Sequence, residues 1–394
     1  MAFAVPALAV DLVWPLAVVV AWIAGELAHR WLALPRISVY AVVGFGLGQT
    51  GLLPPGSNDS MLLLANVAFG LVLFEFGYRI NLRWLRLNAW ITATGVLEAA
   101  CAFAAVYAVA RASGMPLLTT LLLASLAMST SPAALMRVAN EQRSSGQVTE
   151  RVLHIAAIDC VMAVFVFKVT VGFWTFQSSG NLWQAVSTSV LVLVVSAGLG
   201  AAFGLGVAGL LRRVIGHGRD ATVAFALAVV LLVTTTHAFG FSPIFATLTF
   251  GLVARHRRVL LSQAQRNFGA LGDLLSVVLF VFVATTLEWH RVAAGFLLAL
   301  ALIALRLAAK LIAVVALAHA SGISWRKGAL TGLALTPVSV FAILLLEEAS
   351  SLGLNLVDLL APLAAATLLL EIIGPVVTQW ALIAAGEVAE SQRR

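Results

Sequence analysis

One acidic residue, Asp159, lies in the middle of an apolar run from about Val152 to Phe173. A run of this length can cross a bilayer as a helix. A carboxylate at that depth is costly, and it normally faces the interior of a helix bundle or a water-filled cavity. Such a group can hold a proton, a cation, or first one and then the other. The alternative is a salt bridge that only packs helices together, and the rest of the chain favours transport.

Two basic residues, Arg306 and Lys310, lie one helical turn apart inside another apolar run, so they share a helix face. Lys310 is nine residues from His319, and Asp159 is nine residues from Glu150. Both therefore lie about 13 Å from the same membrane edge at 1.5 Å per residue. Pairing them would reduce the cost of burying either charge. The two cations would repel each other unless acids lie nearby. Four acids inside apolar runs are candidate partners: Glu75, Glu98, Asp273 and Glu371.

Two apolar segments contain helix-breaking residues at mid-depth. The first contains Ser129-Thr130-Ser131-Pro132 and the second contains Leu335-Thr336-Pro337-Val338-Ser339. In each, a proline removes a backbone donor beside hydroxyl side chains. Paired, oppositely directed, interrupted spans indicate an inverted-repeat transporter with a midplane site, whereas two ordinary proline kinks are the alternative. Together with freed backbone carbonyls, four hydroxyls are expected to supply neutral oxygen ligands: Thr130, Ser131, Thr336 and Ser339.

Two further residues are candidates for a pathway to this site. Glu75 lies near the inner end of its apolar segment, where it is either part of an entrance or the partner of an arginine. His154 is about a turn and a half from Asp159 and could relay protons near neutral pH, but a packing histidine is the better interpretation. The histidines show no metal-ligand spacing, so neither a metal nor a cofactor is expected. No phosphate-binding loop supports an ATP-driven pump or an enzyme.

The composition is typical of a helical membrane protein. Hydrophobic residues make up 61% of the 394-residue chain and charged residues 10%, with a mean hydropathy of +1.03, whereas soluble proteins carry about 25% charged residues. The basic residues lie in short loops, so the pI of about 10.2 does not indicate nucleic-acid binding. Cys101 and Cys160 both lie in apolar runs, and no disulfide framework is predicted. We predict an all-α polytopic membrane protein with one transport domain over 1–394 and no soluble regulatory domain.

Thirteen apolar segments are predicted to cross the membrane. Nineteen of the 24 basic residues lie in loops after odd-numbered segments or in the C-terminal tail, and two lie in loops after even-numbered segments. The positive-inside rule then places the N-terminus outside and the C-terminus in the cytoplasm, in what we expect to be a bacterial inner membrane. Gly374-Pro375 predicts a kink or a split in the last segment. The approximate limits are 6–28, 37–54, 60–78, 88–110, 116–138, 151–174, 183–211, 220–239, 241–254, 268–287, 292–319, 328–346 and 355–385.

Glycines at regular spacing predict close contacts between helices. The second segment carries Gly44, Gly46 and Gly48, and the seventh carries a similar series from Gly198 to Gly209. No strand or ribose-binding acid accompanies the first series, so it is not a dinucleotide-binding loop.

From about Leu34 to Leu382 the chain resembles the monovalent cation–proton antiporters, in particular the bacterial branch of sodium–proton exchangers and potassium-efflux carriers. The resemblance implies a core domain with two crossed broken helices, a separate panel that dimerises, and elevator-like exchange of a cation for protons on one carboxylate. We expect segments 3–6 and 10–13 in the core and segments 1–2 and 7–9 in the panel. The motifs that carry the resemblance are Leu34-Pro35-Arg36 with 44–54, Gly70 to Leu85, Ser129 to Pro132, Lys310-Leu-Ile with Ser321 to Ser324, and Leu335-Thr336-Pro337.

The centre of segment 6 departs from this family. Its members usually carry two acids there, or a polar residue followed by an acid, and this chain has Ile158-Asp159-Cys160. In one alignment Cys160 replaces the ion-binding acid and Asp159 is the partner of Lys310; in the other, Asp159 is the ion-binding acid itself. The residues that follow favour the first alignment. A neutral thiol is a poor ligand for Na⁺ or K⁺, because hard cations prefer oxygen.

Three functions follow from the sequence. The first is exchange of Na⁺ or K⁺ for H⁺, with Asp159 alternately protonated, Lys310 and Arg306 as counter-charges, and the lipid bilayer and a second copy of the chain as partners. The second is a carrier of an organic or anionic solute, in which the two cations bind the anion. The third is a transport-deficient sensor or subunit.

Overall fold

The computed structural model describes residues 7–51, 59–175, 182–211, 220–257, 268–339, 342 and 361–388. These residues form helices and connecting loops, with no strand among them, which confirms the prediction of an all-α polytopic protein. In chain order the helices are α1 (Ala7–Leu32), α2 (Arg36–Gln49), α3 (Asp59–Arg79), α4 (Leu82–Leu87), α5 (Ala89–Ala112), α6 (Leu117–Met128), α7 (Pro132–Glu141), α8 (Gln147–Thr175), α9 (Leu182–Leu210), α10 (Asp220–Ala238), α11 (Pro243–His256), α12 (Gly269–Thr285), α13 (Trp289–Ala316), α14 (Trp325–Ala334) and α15 (Ala361–Ala384).

Each of the thirteen predicted segments contains at least one of these helices. Within the described residues, eight stretches are long and apolar enough to cross a membrane by themselves, and the other segments correspond to shorter helices. About thirteen spans are consistent with this arrangement. Residues 340–341 and 343–346 of segment 12, and 355–360 of segment 13, lie outside the described residues.

One local prediction is wrong, and of the kink or split predicted at Gly374-Pro375 the split is absent. The sequence between segments 3 and 4 was expected to be a loop, but it contains the short helix α4, where the Asn81 side chain accepts a hydrogen bond from the Trp84 N–H at 3.1 Å. The Gly374-Pro375 pair does not split segment 13, since α15 continues through it. Gly374 instead packs against Pro337, and a Cβ at this glycine would lie 2.8 Å from the Pro337 Cα atom.

The first interrupted span consists of α6 and α7 with an extended stretch between them. Ser129 and Ser131 have extended ψ angles of 141° and 108°, and Pro132 starts α7 at a position where its missing N–H has no cost. The Ser131 hydroxyl accepts a hydrogen bond from the Ala134 N–H at 3.2 Å, so this serine is an N-cap. The local sequence therefore both ends one half-helix and starts the next.

The second interrupted span crosses the first at its extended stretch. α14 ends at Ala334, and residues 336–339 have no helical structure. The backbone N–H of Ser131 donates to the carbonyl of Pro337 at 3.1 Å, so the two unwound stretches touch. This contact is the crossing of two broken helices, as expected for an inverted-repeat antiporter fold.

Around the crossing, α13 packs against α5, α14 and α15, and α6 packs against α5 and α8. A second group of helices is built on α11, which lies between α3 and α9. Segments 3 and 10 correspond to α3 and α12, which pack mainly on α11 and on α2. The assignment of segments to a core and a panel stays a prediction.

Glycines set the distance between several of these helices. A Cβ at Gly251 would lie 2.1 Å from the Phe74 carbonyl oxygen, so the backbones of α3 and α11 are in direct contact. Gly44 and Gly48 approach the backbone of α12 in the same way, with built Cβ atoms 2.7 and 2.8 Å from its carbonyl oxygens. Gly46 faces open space. The predicted glycine contact is therefore present at Gly44 and Gly48 and absent at Gly46.

We expect Gly251→Ala to lower the thermal stability of the protein, whereas Gly46→Ala leaves it unchanged or raises it. The added methyl group at Gly251 would overlap a backbone oxygen that cannot rotate away, and overpacking costs about 1–3 kcal/mol. At Gly46 nothing is displaced, and alanine is the better helix former by about 1 kcal/mol. Melting curves of the two variants in detergent test this pair. Equal melting temperatures would contradict the close contact of α3 and α11.

Candidate functional site

Asp159 lies on α8, fully buried, at the crossing of the broken helices. Its Oδ2 atom accepts a hydrogen bond from the Thr130 hydroxyl at 2.6 Å and a charged hydrogen bond from Lys310 Nζ at 3.1 Å. Its Oδ1 atom has no hydrogen-bond partner among the described residues. One oxygen of this carboxylate is therefore fixed by a cation and a hydroxyl, and the other is left available.

Lys310 lies on α13 and is the centre of the cluster. Its ammonium group is fully buried and donates to the Met128 carbonyl and the Thr130 hydroxyl, each at 3.1 Å, and to two acids, Asp159 and Glu98. The predicted pairing of Lys310 with Asp159 is thus present. Because a buried ammonium is costly unless it is paired and fully hydrogen-bonded, these four contacts explain how a lysine is accommodated at this depth.

Glu98 lies on α5. The sequence indicated it only as one of four candidate partners for the buried cations. Its Oε1 atom accepts from Lys310, and its Oε2 atom has no hydrogen-bond partner among the described residues. Like Asp159, it is fully buried. A signal was available in the sequence, because Glu98 follows Ala89 by nine residues and thus lies at the depth that linked Asp159 to Lys310. Depth alone, however, does not say which helices are neighbours.

Among the described residues, the hydrogen-bond partners of Arg306 are backbone carbonyls rather than the acids considered as candidates from the sequence. Its guanidinium group donates to three backbone carbonyls, those of Ala127 and Ser129 at the end of α6 and that of Thr336 after α14, at 2.7, 2.8 and 2.8 Å. The last carbonyls of a helix have no partner within it and carry partial negative charge. Arg306 therefore caps both interrupted helices at once.

Cys160 also faces the crossing. It is buried, and its thiol donates a weak hydrogen bond to the Thr130 carbonyl, with a sulfur–oxygen distance of 3.5 Å. The position next to Asp159 on α8 is thus occupied by a neutral group. Both alignments of Ile158-Asp159-Cys160 stay predictions.

The other predicted hydroxyls lie at the crossing but do not contact Asp159 in the hydrogen bonds described. The Ser131 side chain caps α7, and the Thr336 hydroxyl donates to the Leu333 carbonyl. Ser339 is buried, and its carbonyl accepts a hydrogen bond from the Ala342 N–H at 3.0 Å. Of the four hydroxyls predicted as ligands, the structure brings Thr130 into direct contact with the carboxylate.

Glu75 and His154 belong to other clusters. Glu75 is buried on α3 and accepts a hydrogen bond from the Asn140 side chain at 2.8 Å. The His154 ring accepts a hydrogen bond from the Asn81 N–H at 3.1 Å through Nε2, lies 2.7 Å from the Glu150 carbonyl through Nδ1, and packs on the Trp84 ring. Both ring nitrogens of His154 therefore have partners near α4, which fits a packing role.

A polar cavity of about 340 Å³ lies where α1, α2, α7 and α12 meet. Two ion pairs line it and join α7 to its neighbours. Arg36 of α2 lies 3.5 Å from Glu141, and Arg137 lies 2.5 Å from Asp273 of α12. Asp273 is therefore the partner of Arg137 rather than of the cations on α13.

Two crossed broken helices around a buried carboxylate and its lysine define the inverted-repeat class of secondary transporters. The sequence model of transmembrane sodium/hydrogen exchangers matches residues 16–384, and the chain belongs to that family.

Two solved structures share the fold, and both are of the sodium proton antiporter MjNhaP1 from Methanocaldococcus jannaschii. The structure at pH 8 is 17% identical, with a TM-score of 0.66 over 95% of each chain. The structure from an electron-microscopy map is 16% identical, with a TM-score of 0.73 over 98% of this chain and 100% of the other. At these sequence identities, the similarity shows a shared fold and nothing further. No curated protein sequence matches the chain.

Replacement of Arg306 by glutamine is expected to lower the melting temperature by several degrees. Three buried carbonyls would lose their donor, and an unsatisfied buried group costs about 1–3 kcal/mol. Arg111→Gln is a suitable control, since Arg111 also donates to one backbone carbonyl, at 2.8 Å, but on the exposed surface. Melting curves in detergent compare the two variants. If both variants have the same melting temperature as the wild type, Arg306 does not stabilise the crossing.

Proposed function

We propose that this protein is a secondary transporter that exchanges Na⁺ or K⁺ for H⁺ at the carboxylate of Asp159. The observation that carries the proposal is the buried cluster of Asp159, Thr130 and Lys310 at the crossing of the broken helices. Membership in the sodium/hydrogen exchanger family supports cation–proton exchange as the reaction.

Competition between two ligands for one site is what couples the two fluxes in this proposal. A proton and a monovalent cation each neutralise a carboxylate, so Asp159 binds one or the other but not both at once. The Oδ1 atom is the oxygen left for this purpose, since Oδ2 already accepts two hydrogen bonds. Lys310 acts as the fixed counter-charge.

The neutral ligands are expected to come from the unwound stretches. Thr130 already contacts Asp159, whereas Ser131, Thr336 and Ser339 have other contacts in the conformation described. Most of the freed carbonyls accept hydrogen bonds from Arg306, Lys310 or the Ser131 N–H. A cation can therefore bind these carbonyls only where it displaces a donor, which favours carboxylate oxygens as its main ligands.

The remaining parts of the proposal concern the whole molecule. The N-terminus would lie outside and the C-terminus in the cytoplasm of a bacterial inner membrane, as the distribution of basic residues favours. Alternating access would come from movement of a core around the crossing against a panel through which two copies dimerise. The likeness of fold to a solved sodium proton antiporter supports such an architecture.

The alternative hypothesis, a carrier of an organic or anionic solute, is supported less by the structure than by the sequence. That hypothesis needs Arg306 to bind the solute, and the Nε, Nη1 and Nη2 atoms of Arg306 each donate to a backbone carbonyl. Lys310 is likewise occupied by two acids.

Liposomes that contain the purified protein and a pH gradient test the proposal. Addition of Na⁺, K⁺, Li⁺ or Rb⁺ salts outside is expected to change the internal pH, and Asp159→Asn is expected to abolish this response because the amide cannot exchange a proton. Glu288→Gln is the control, since Glu288 is a half-exposed acid at the start of α13 and its loss should leave exchange unchanged. A wild-type protein that responds to none of the four cations would refute the proposed exchange.

A further inference from the structure

We infer that Glu98 supplies the second negative charge of the exchange site, so that Glu98 and Asp159 together hold either one proton or one monovalent cation while Lys310 stays charged. This inference rests on the proposed function and adds a residue and a charge count to it. Neither the family match nor the motifs of the sequence assign a role to Glu98.

The packing of α5 against α8 brings the two acids together. Gly95 lies one turn before Glu98, and a Cβ at this glycine would lie 2.9 Å from the Ile158 side chain, so the two helices approach closely just beside Asp159. Glu98 and Asp159 both accept from the same Lys310 ammonium group. Because both acids accept from one nitrogen atom, their carboxyl groups are neighbours.

The oxygens without partners are the second observation. Within the described residues, Oε2 of Glu98 and Oδ1 of Asp159 are buried and accept no hydrogen bond. Buried polar atoms are satisfied in the great majority of cases, and each exception needs a reason. One shared proton would satisfy both oxygens, and one small cation between them would do the same. The geometry thus provides for one positively charged ligand.

The balance of charges in the cluster also indicates one positively charged ligand. Lys310 balances one of the two carboxylates, and the charge of Arg306 is offset by the carbonyl ends of α6 and α14, which together carry about one negative charge. With both acids ionised, the cluster would hold one negative charge without a full counter-charge in a buried place, which is costly. Binding of one proton or one cation removes that charge. If Glu98 were neutral, Lys310 and Asp159 would balance each other, and a cation would add an uncompensated positive charge.

The charged groups that face Glu98 come from a small set of helices. α13 contributes Lys310 and Arg306, and α8 contributes Asp159. α6 carries no charged residue, and the arginines of α4 are exposed at the end of α5. The partial positive charge at the start of α7 amounts to about half a charge, which is too little to replace a bound ion.

The place of Cys160 explains why a second acid on α5 is needed. Asp159 is followed on α8 by a neutral thiol that donates to the Thr130 carbonyl, so these two neighbouring positions carry one acid. Glu98 supplies a second negative charge from a neighbouring helix. In one exchange step the cation enters between the carboxylates, the shared proton leaves to water on the same side, and Lys310 keeps its proton.

Proton release by the purified protein in weakly buffered detergent solution tests the inference. Addition of NaCl, KCl, LiCl or RbCl, with choline chloride as the ionic-strength control, is expected to release about one proton for each cation bound by the wild type, because binding and release are linked. Glu98→Gln is expected to reduce this release to none. Glu98→Asp keeps the charge and is expected to retain the release with weaker cation binding.

A relocated charge provides the sharper test. The double variant Glu98→Gln with Cys160→Asp returns the acid to α8, and it is expected to recover both proton release and exchange in liposomes. Unchanged proton release in Glu98→Gln, or no recovery in a folded double variant, would overturn the role of Glu98. The proposed exchange at Asp159 would still stand if Asp159→Asn is inactive. A wild-type protein that neither releases protons nor exchanges any of the four cations overturns both proposals.

One outcome does not depend on how well a variant folds. Exchange of one cation for one proton moves no net charge, so the exchange rate of the wild type in liposomes is expected to be insensitive to an imposed membrane potential. A rate that rises or falls several-fold with the potential would show a different charge count and would overturn the inference.

Discussion

Carbonyl groups at the ends of two interrupted helices have to be satisfied in the middle of a bilayer, where no water is available and each unsatisfied group costs several kcal/mol. α6 ends at Met128 and α14 ends at Ala334, so both sets of carbonyls arrive at the same place. The side chains of Arg306 and Lys310, one turn apart on α13, reach four of them. The crossing is therefore stabilised by two long cations that α13 carries at the right depth, and the cluster around Asp159 is built on the same support.

Because of this requirement, Arg306 and Lys310 have different roles. The planar guanidinium group of Arg306 presents donors in a fixed fork, which suits three carbonyls in a fixed arrangement, and this use removes it from contact with a solute. Lys310 carries a compact charge with three donors, and it reaches two acids as well as the backbone. A lysine–arginine exchange between these positions would therefore disturb both functions, even though the net charge of the helix face would not change.

The sequence predicted the elements better than their contacts. Hydropathy and loop charge located thirteen segments, because burial of a backbone in lipid requires long apolar helices, and equal depth correctly paired Asp159 with Lys310. Depth could not select Glu98 from the four candidate acids, since it contains no information on which helices are adjacent. The partners of Arg306 could not be assigned from the sequence for a different reason: they are backbone carbonyls that become available only when a helix is broken.

The half-helix α7 is only ten residues long, and ion pairs hold it to the structure on two sides, through Arg36 to Glu141 and through Arg137 to Asp273. Any sliding of α7 past α2 and α12 must exchange both pairs for water. The Asp273 side chain is 74% exposed, and pairs of this kind contribute at most about 1 kcal/mol and are screened by salt. The pair of Arg137 with Asp273 can therefore favour one position of the half-helix and still open at thermal energies, and it would weaken as the ionic strength of the adjoining solution rises.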